Sequence, residues 1–312
     1  MNHIKSTVTA LLNGSGQVMF QQNPWTGILF LAGIFLGSYE CHSPQVAWGA
    51  IAGLTASTLA GFMTARGENA GKQGLWGFNG ILVGCAFPTF LSNTPQMWVA
   101  LVFCAMLSTW VRDGLNKAMA PIKINSLTFP FVLLTWIFLL ASQSLDGISP
   151  SALPSPELEN LSTLPLDTSA SALAEYWLKG ISQVFLINSW LTGALFLIGL
   201  AICSRRAAIW AAAASAIALA TAIAFKADPA DIANGLFGYS PVLTGIAIGC
   251  VFASHNTKSA IWALAAIIAT VFVQAGMNSL LSPLGIPSLT GPFCLTTWLF
   301  LLPGYDFNTR KK

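Results

Sequence analysis

"GLFGYSPVLTG" at residues 235–245 is the second copy of a phrase that first stands as "GLWGFNGILVG" at residues 74–84. The copies are identical at five of eleven positions, and several others exchange similar residues. Two further blocks recur in the same order: "GQVMFQQNPWTGILFLAGI" (16–34) with "SQVFLINSWLTGALFLIGL" (182–200), and "LTFPFVLLTWIFLL" (127–140) with "LTGPFCLTTWLFLL" (289–302). The offsets of 161, 166 and 162 residues are nearly equal, so we predict a tandem duplication.

The composition places both copies in a membrane. Of the 312 residues, 54% are hydrophobic and only 8% are charged, whereas about 25% are charged in ordinary soluble domains. Ten apolar stretches are long enough to cross, or nearly cross, about 30 Å of hydrocarbon. These predicted spans are 25–39, 46–65, 74–92, 97–111, 127–142, 180–202, 207–225, 235–254, 259–280 and 289–303.

The basic residues orient the predicted spans. With the N-terminus in the cytoplasm, twelve of the 14 Lys and Arg residues fall on the cytoplasmic side, and only Lys179 and Lys226 fall opposite. This is a strong positive-inside pattern, so both termini are expected in the cytoplasm. The twelve are Lys5, Arg66, Lys72, Arg112, Lys117, Lys123, Arg205, Arg206, Lys258, Arg310, Lys311 and Lys312.

The stretch 143–178, rich in Ser and Pro, is predicted to be an external connector. It separates a first repeat, 1–142, from a second repeat, 179–312, with five spans each. Because five is odd, the second repeat must run in the opposite direction. The expected fold is therefore an all-α integral membrane protein with about ten transmembrane helices, plus short re-entrant or half helices, in two inverted five-span repeats around a central pore. Pro130 and Pro292 are expected to break helices and free carbonyl oxygens.

These paired motifs resemble the urea transporter family, whose halves each carry an L-P-x-x-T-x-P-F signature. Here the signature reads "INSLTFPF" at 124–131 and "IPSLTGPF" at 286–293, so the first copy lacks the proline, at Asn125, and both copies begin with isoleucine. The resemblance implies channel-type, passive transport of urea down its gradient and a homotrimer. Since neither half alone is sufficient to enclose a pore, we expect one pore per chain. Composition and length suit a multi-pass protein of the bacterial inner membrane.

Urea is planar and uncharged, with four N–H donors and one carbonyl acceptor. A selective passage therefore needs flat apolar walls and a row of hydrogen-bonding groups along the edges. Thr128 and Thr290 are predicted to meet at the centre, and Gln17 and Gln183 to guard the two mouths. The complete predicted lining is Gln17, Val18, Phe20, Phe78, Leu82, Thr128, Gln183, Val184, Leu186, Tyr239, Leu243 and Thr290.

Alternatives remain open at this point. One alternative is a channel for ammonia, a short amide or water. Another is an integral scaffold or enzyme subunit that uses its spans only for anchoring. Either threonine could simply bond to a carbonyl of its own helix. The predicted spans hold no charged residues suited to proton or sodium coupling, because the acidic residues fall in predicted loops. No catalytic or nucleotide-binding motif is present, so we expect no enzyme, cofactor, metal or nucleic-acid partner, and only urea and the lipid bilayer as partners.

Overall fold

The computed structural model describes residues 2–64, 68–153, 165–252 and 256–305. Arg66, Arg310, Lys311, Lys312 and the connector residues 154–164 lie outside these ranges. Within them the chain is α-helical, apart from short turns and one isolated bridge, so the prediction of an all-α protein is confirmed there. The helices are α1 (Asn2–Gln17), α2 (Pro24–Glu40), α3 (Pro44–Thr64), α4 (Glu68–Lys72), α5 (Phe78–Phe90), α6 (Pro95–Met119), α7 (Phe129–Ser142), α8 (Ala170–Ser182), α9 (Trp190–Cys203), α10 (Arg205–Ala224), α11 (Pro229–Ala233), α12 (Tyr239–Ile246), α13 (Thr257–Leu281) and α14 (Gly291–Leu301).

The helices of the second half follow the same order as those of the first. For example, α6 and α13 are both 25 residues long, and α13 begins 162 residues after α6. The helix starts are also equivalent. The Asn23 side chain accepts from the backbone N–H groups of the first turn of α2, and Ser189, 166 residues later, does the same for α9. Such side chains satisfy backbone donors that the first turn leaves unpaired, so the repeated sequence sets repeated helix boundaries.

Fewer helices than the ten predicted spans are individually long enough to cross a membrane. Among the described residues, four helical segments are long and apolar enough to cross a membrane: Pro44–Thr64, Pro95–Ile122, Arg205–Ala224 and Thr257–Leu284. A fifth span is possible if Ala170–Phe185 and Trp190–Cys203 count together. By length and composition alone, the described residues therefore contain four or five such segments, and the count of ten spans stays a prediction.

The predicted span 180–202 is not one continuous helix, because the chain bends by 73° between Phe185 and Trp190. Leu186 adopts a left-handed φ of 59°, which ends the first segment, and Ser189 caps a new helix. The segment before the bend, α8, begins at Ala170, within the residues predicted as connector. Its counterpart, α1, is a further helix for which the sequence predicted no span.

Several helices are too short to span a bilayer. α5, α7 and α14 have 13, 14 and 11 residues, which at 1.5 Å per residue is roughly 17–21 Å. α12 has eight residues and continues as a π-helical segment, Ala247–Val251. The hydrocarbon layer is about 30 Å thick. The expectation of half-length helices therefore fits these four elements.

Glycines allow α3 and α5 to pack with their backbones almost in contact. A Cβ atom added at Gly53 would lie 2.1 Å from the carbonyl oxygen of Gly80, and one at Gly49 would lie 2.2 Å from that of Gly84. Small residues at such crossings are typical of membrane helices, whose association depends on close packing. Within the first half, α3 and α5 are therefore packed closely against each other.

The two halves join through α2 and α9 by reciprocal hydrogen bonds. Thr26 Oγ1 donates to the Gly199 carbonyl over 2.7 Å, and Thr192 Oγ1 donates to the Gly33 carbonyl over 2.8 Å. Thr26 and Thr192 are 166 residues apart, as are Gly33 and Gly199. Residues that are equivalent by sequence thus exchange the same contact, and both halves contribute to one continuous buried core.

The outer surface carries large apolar side chains. Met63, Val99 and Leu280 are each more than 70% exposed. Soluble proteins rarely present extended apolar surfaces to water, whereas a lipid environment favours them. The exterior therefore agrees with an integral membrane protein.

Candidate functional site

Two tight turns of equivalent sequence lie at the start of α7 and α14. Leu127 has a φ of 54° and Leu289 a φ of 50°, an uncommon conformation for residues with side chains. Pro130 and Pro292 follow within the first helical turn, where a backbone N–H would have no partner anyway. The prediction that these prolines break helices is wrong, because each lies where its helix begins. The irregular backbone comes before them.

These turns bring together the hydroxyl groups of Thr128 and Thr290. Their Oγ1 atoms are 2.7 Å apart and form a hydrogen bond, and each residue is only 3% exposed. Cys294 Sγ lies 3.3 Å from Thr128 Oγ1. The predicted meeting of the two threonines is thus found in the structure. The hydroxyls pair with each other across the two halves, which the alternative of bonds within one helix did not anticipate.

Two tryptophans hold the turns in place. Trp136 of α7 donates from Nε1 to the carbonyl of Pro287 over 2.8 Å, and Trp298 of α14 donates to the carbonyl of Asn125 over 3.0 Å. Trp136 and Trp298 are 162 residues apart, as are Asn125 and Pro287. Each half therefore fixes the turn of the other half, and the position of the threonine pair depends on both.

Thr128 lines a cavity of about 240 Å³, here called the first-half cavity. Four other predicted residues line it as well: Gln17, Val18, Phe20 and Phe78. Most of the remaining lining also comes from the first half, but Val251, Phe252 and Phe293 come from the second.

Thr290 lines a larger cavity of about 530 Å³, here called the second-half cavity. The equivalent predicted residues line it: Gln183, Val184, Leu186 and Tyr239. Here the first half contributes Thr89, Phe90 and Phe131, and Phe131 is the repeat equivalent of Phe293. The cavities are thus built from equivalent residues with the halves exchanged, and a single hydrogen bond links their threonines.

Gln17 and Gln183 each donate a hydrogen bond to a backbone carbonyl just before an equivalent glycine. Gln17 Nε2 donates to the Gln73 carbonyl and Gln183 Nε2 to the Asn234 carbonyl, both over 2.9 Å. Each acceptor precedes a glycine with a positive φ, Gly74 or Gly235, so the glutamine ties a sharp turn to the cavity edge. The amide nitrogen is therefore structural in both halves.

Aromatic rings form one side of the first-half cavity. Phe20 makes edge-to-face contacts with Phe252 and Phe293, with centroids 5.8 and 6.2 Å apart. Its repeat equivalent is Leu186, so the second-half cavity lacks this ring cluster. Leu82 and Leu243 are fully buried and are not among the described residues that line either cavity. The structure therefore brings ten of the twelve predicted residues to the cavities, but not these two.

The family model described as "Urea transporter" matches residues 8–305 of the chain. The chain belongs to the urea transporter family. It is similar to Urea transporter 1 of Ovis aries, with 28% identity over 295 residues, and to that of Rattus norvegicus, with 30% identity over 304 residues. Each alignment covers 94% of this chain and 76% of the relative. As a member of this family, the chain is a membrane transport protein and not an enzyme.

This urea transporter family member also has cavity residues that the sequence analysis missed. Arg112 and Asn116 of α6 line the first-half cavity, and their repeat equivalents Gln274 and Asn278 of α13 line the second-half cavity. Arg112 was expected beyond the end of a span, but α6 continues to Met119 and includes it. A signal was present: polar residues four positions apart, and so on one helix face, recur 162 residues later.

Proposed function

We propose that the protein passes urea and close analogues down their gradient, through a narrow path that leads from one cavity to the other past Thr128 and Thr290. One observation carries the proposal. The two threonines line different cavities, yet their hydroxyl oxygens are only 2.7 Å apart. A solute that contacts Thr128 in one cavity is therefore close to Thr290 in the other cavity.

The chemistry of the lining suits a small neutral solute. A hydroxyl group both donates and accepts, so Thr128 and Thr290 can exchange their mutual bond for bonds to the carbonyl and amide groups of urea. Replacing lost hydration with fixed groups in this way is the general means by which narrow channels admit their permeant. Phe20, Phe78 and Tyr239 supply flat apolar walls, and we assign Leu82 and Leu243 to the narrow part between the cavities.

The proposed architecture has two inverted repeats related by an axis in the membrane plane. The reciprocal bonds of the tryptophans and of Thr26 and Thr192 support it, because a two-fold axis exchanges equivalent residues in this way. The ten-span count belongs to this proposal, with short and bent helices completing the spans. The positive-inside pattern supports cytoplasmic termini in a bacterial inner membrane. One pore per chain follows from the shared lining, and the homotrimer rests on the family resemblance.

The decisive experiment is urea flux from proteoliposomes that contain the purified protein. We expect flux that saturates only at high urea concentration and does not change with pH or sodium gradients. Thr128→Val and Thr290→Val should each reduce the flux by about tenfold, the equivalent of one hydrogen bond lost at the narrowest point.

Thr244→Val is the matched control, because Thr244 is another buried threonine that pairs with a threonine but lies outside the described lining of both cavities. It should leave the flux within about twofold of the unmodified protein, since it removes no group from the path. Urea efflux no faster than from empty liposomes would refute the proposal. Flux of ammonia or water without flux of urea would instead assign the pore to another neutral solute.

A further inference from the structure

We propose that Arg112 makes the first-half cavity exclude cations and thereby determines the charge specificity of the channel at that mouth. The inference rests on the proposed function and adds a residue that selects among planar solutes. Arg112 lies on α6, and its side chain is 12% exposed. Its Cζ is 5.9 Å from the centre of the Phe78 ring, one of the proposed pore walls. Arg112 is the only charged residue among the described residues that line this cavity.

The charged residue in the described lining of the other cavity has the opposite sign. The duplication places the neutral Gln274 where the first half has Arg112, and the described lining there includes the carboxylate of Asp231. Many of the other lining residues are equivalent, although Leu186 stands where the first half has Phe20. Replacing Arg112 by glutamine would therefore remove the positive charge and introduce the residue that the second half has at the equivalent position.

The neighbouring Asp113 does not cancel this charge within the cavity. Arg112 Nη1 donates to Asp113 Oδ1 over 2.7 Å, which uses one of the five N–H donors of the guanidinium group. The Asp113 side chain is 42% exposed and is not among the described lining residues. Solvent screens an exposed carboxylate more than a nearly buried guanidinium group. The field inside the cavity therefore remains positive.

Guanidinium ion is the sharpest probe of this proposal. It has nearly the size and planar shape of urea, but it carries a positive charge and has a third NH2 group in place of the carbonyl oxygen. Like charges a few ångströms apart repel strongly where water is excluded. Urea should therefore enter the first-half cavity freely, while guanidinium should be held out of it.

The first test measures uptake of labelled guanidinium and of urea by proteoliposomes with Arg112→Gln, which copies the residue of the second half. We expect the ratio of guanidinium uptake to urea uptake to rise by about tenfold over the unmodified protein. Arg112→Lys, which keeps the charge, should remain closed to guanidinium. Lys117→Gln is the control, because it removes a positive charge from an exposed position on the same helix, and it should change neither uptake.

A second measurement needs no variant and guards against misfolding of Arg112→Gln. In vesicles of uniform orientation, guanidinium should slow urea flux when added on the side of the second-half cavity and have little effect from the other side. Equal inhibition from both sides, or normal urea flux in Arg112→Gln with no gain of guanidinium uptake, would overturn the role of Arg112 alone. Absence of urea flux in the unmodified protein would instead refute the proposed function.

Discussion

A double-mutant cycle on Thr128 and Thr290 tests whether their hydroxyls bond in a dry environment. Thr128→Val leaves the Thr290 hydroxyl without this bond at a site that is 3% exposed, which should cost about 1–3 kcal/mol. Thr290→Val should cost less, about 1 kcal/mol, because the Thr128 hydroxyl still has Cys294 Sγ at 3.3 Å. The double variant replaces both hydroxyls by methyl groups of similar shape and should cost little more than either single change.

The expected coupling energy is therefore about 1–1.5 kcal/mol, in the upper part of the range measured for buried hydrogen bonds between membrane helices. The measurement is unfolding in mixed micelles by titration with SDS, followed by far-ultraviolet circular dichroism. A coupling below about 0.3 kcal/mol would refute the reasoning, since hydroxyls that water can reach replace a lost partner at almost no cost. A greater loss of unfolding free energy in Thr290→Val than in Thr128→Val would also refute it.

The pair of Thr244 and Thr270 provides the control cycle. These two hydroxyls also lie within 3.0 Å of each other, but each has a backbone carbonyl of its own helix in reach, that of Ser240 or of Ala266. Removing one hydroxyl thus leaves the other with a partner. We expect a coupling at least about twofold smaller than at the central pair, although both sites are buried and chemically alike.

Two further predictions concern packing and the cavity edges. Gly53→Ala should cost about 1–3 kcal/mol, because its Cβ would lie 2.1 Å from the Gly80 carbonyl oxygen. Gly114→Ala should stabilise by about 0.5–1 kcal/mol, because its Cβ would meet no described atom within 4 Å; equal stabilities of the two variants in SDS titration would contradict the close helix crossing. Gln17→Leu and Gln183→Leu should each cost about 1 kcal/mol and slow urea flux to a similar extent, because each removes one 2.9 Å bond of the same kind. Unequal losses of stability would show that the two edges are not equivalent.

The duplication predicted most of the cavity lining because the structure reuses equivalent positions. Thr128 and Thr290, or Gln17 and Gln183, could be paired from the offsets alone, without any knowledge of the helix packing. A position that repeats with the same polar residue in an otherwise apolar sequence is constrained by something other than lipid contact. The structure shows this constraint as shared hydrogen bonds.

Helix boundaries could not be predicted equally well. Hydropathy averages the apolar character of a window and does not report whether the backbone is continuously hydrogen-bonded. The stretch 180–202 is apolar throughout, yet a left-handed residue at Leu186 and a cap at Ser189 divide it. Arg112 was missed for a related reason. Counting charges assigns a basic residue to a loop. However, α6 extends beyond its apolar stretch, and this extension places Arg112 in the cavity lining.

The exchange of α7 and α14 between the cavities supports the expectation that neither half alone encloses a pore. Phe131 of α7 lines the cavity of the second half, and Phe293 of α14 lines that of the first. The same helices carry Trp136 and Trp298, which bond to the turn of the opposite half. Moving either helix therefore alters a wall of one cavity and the turn that presents that cavity's threonine. The two cavities consequently depend on each other for their shape, and a single copy of the repeat would lack both a wall and a fixed hydroxyl.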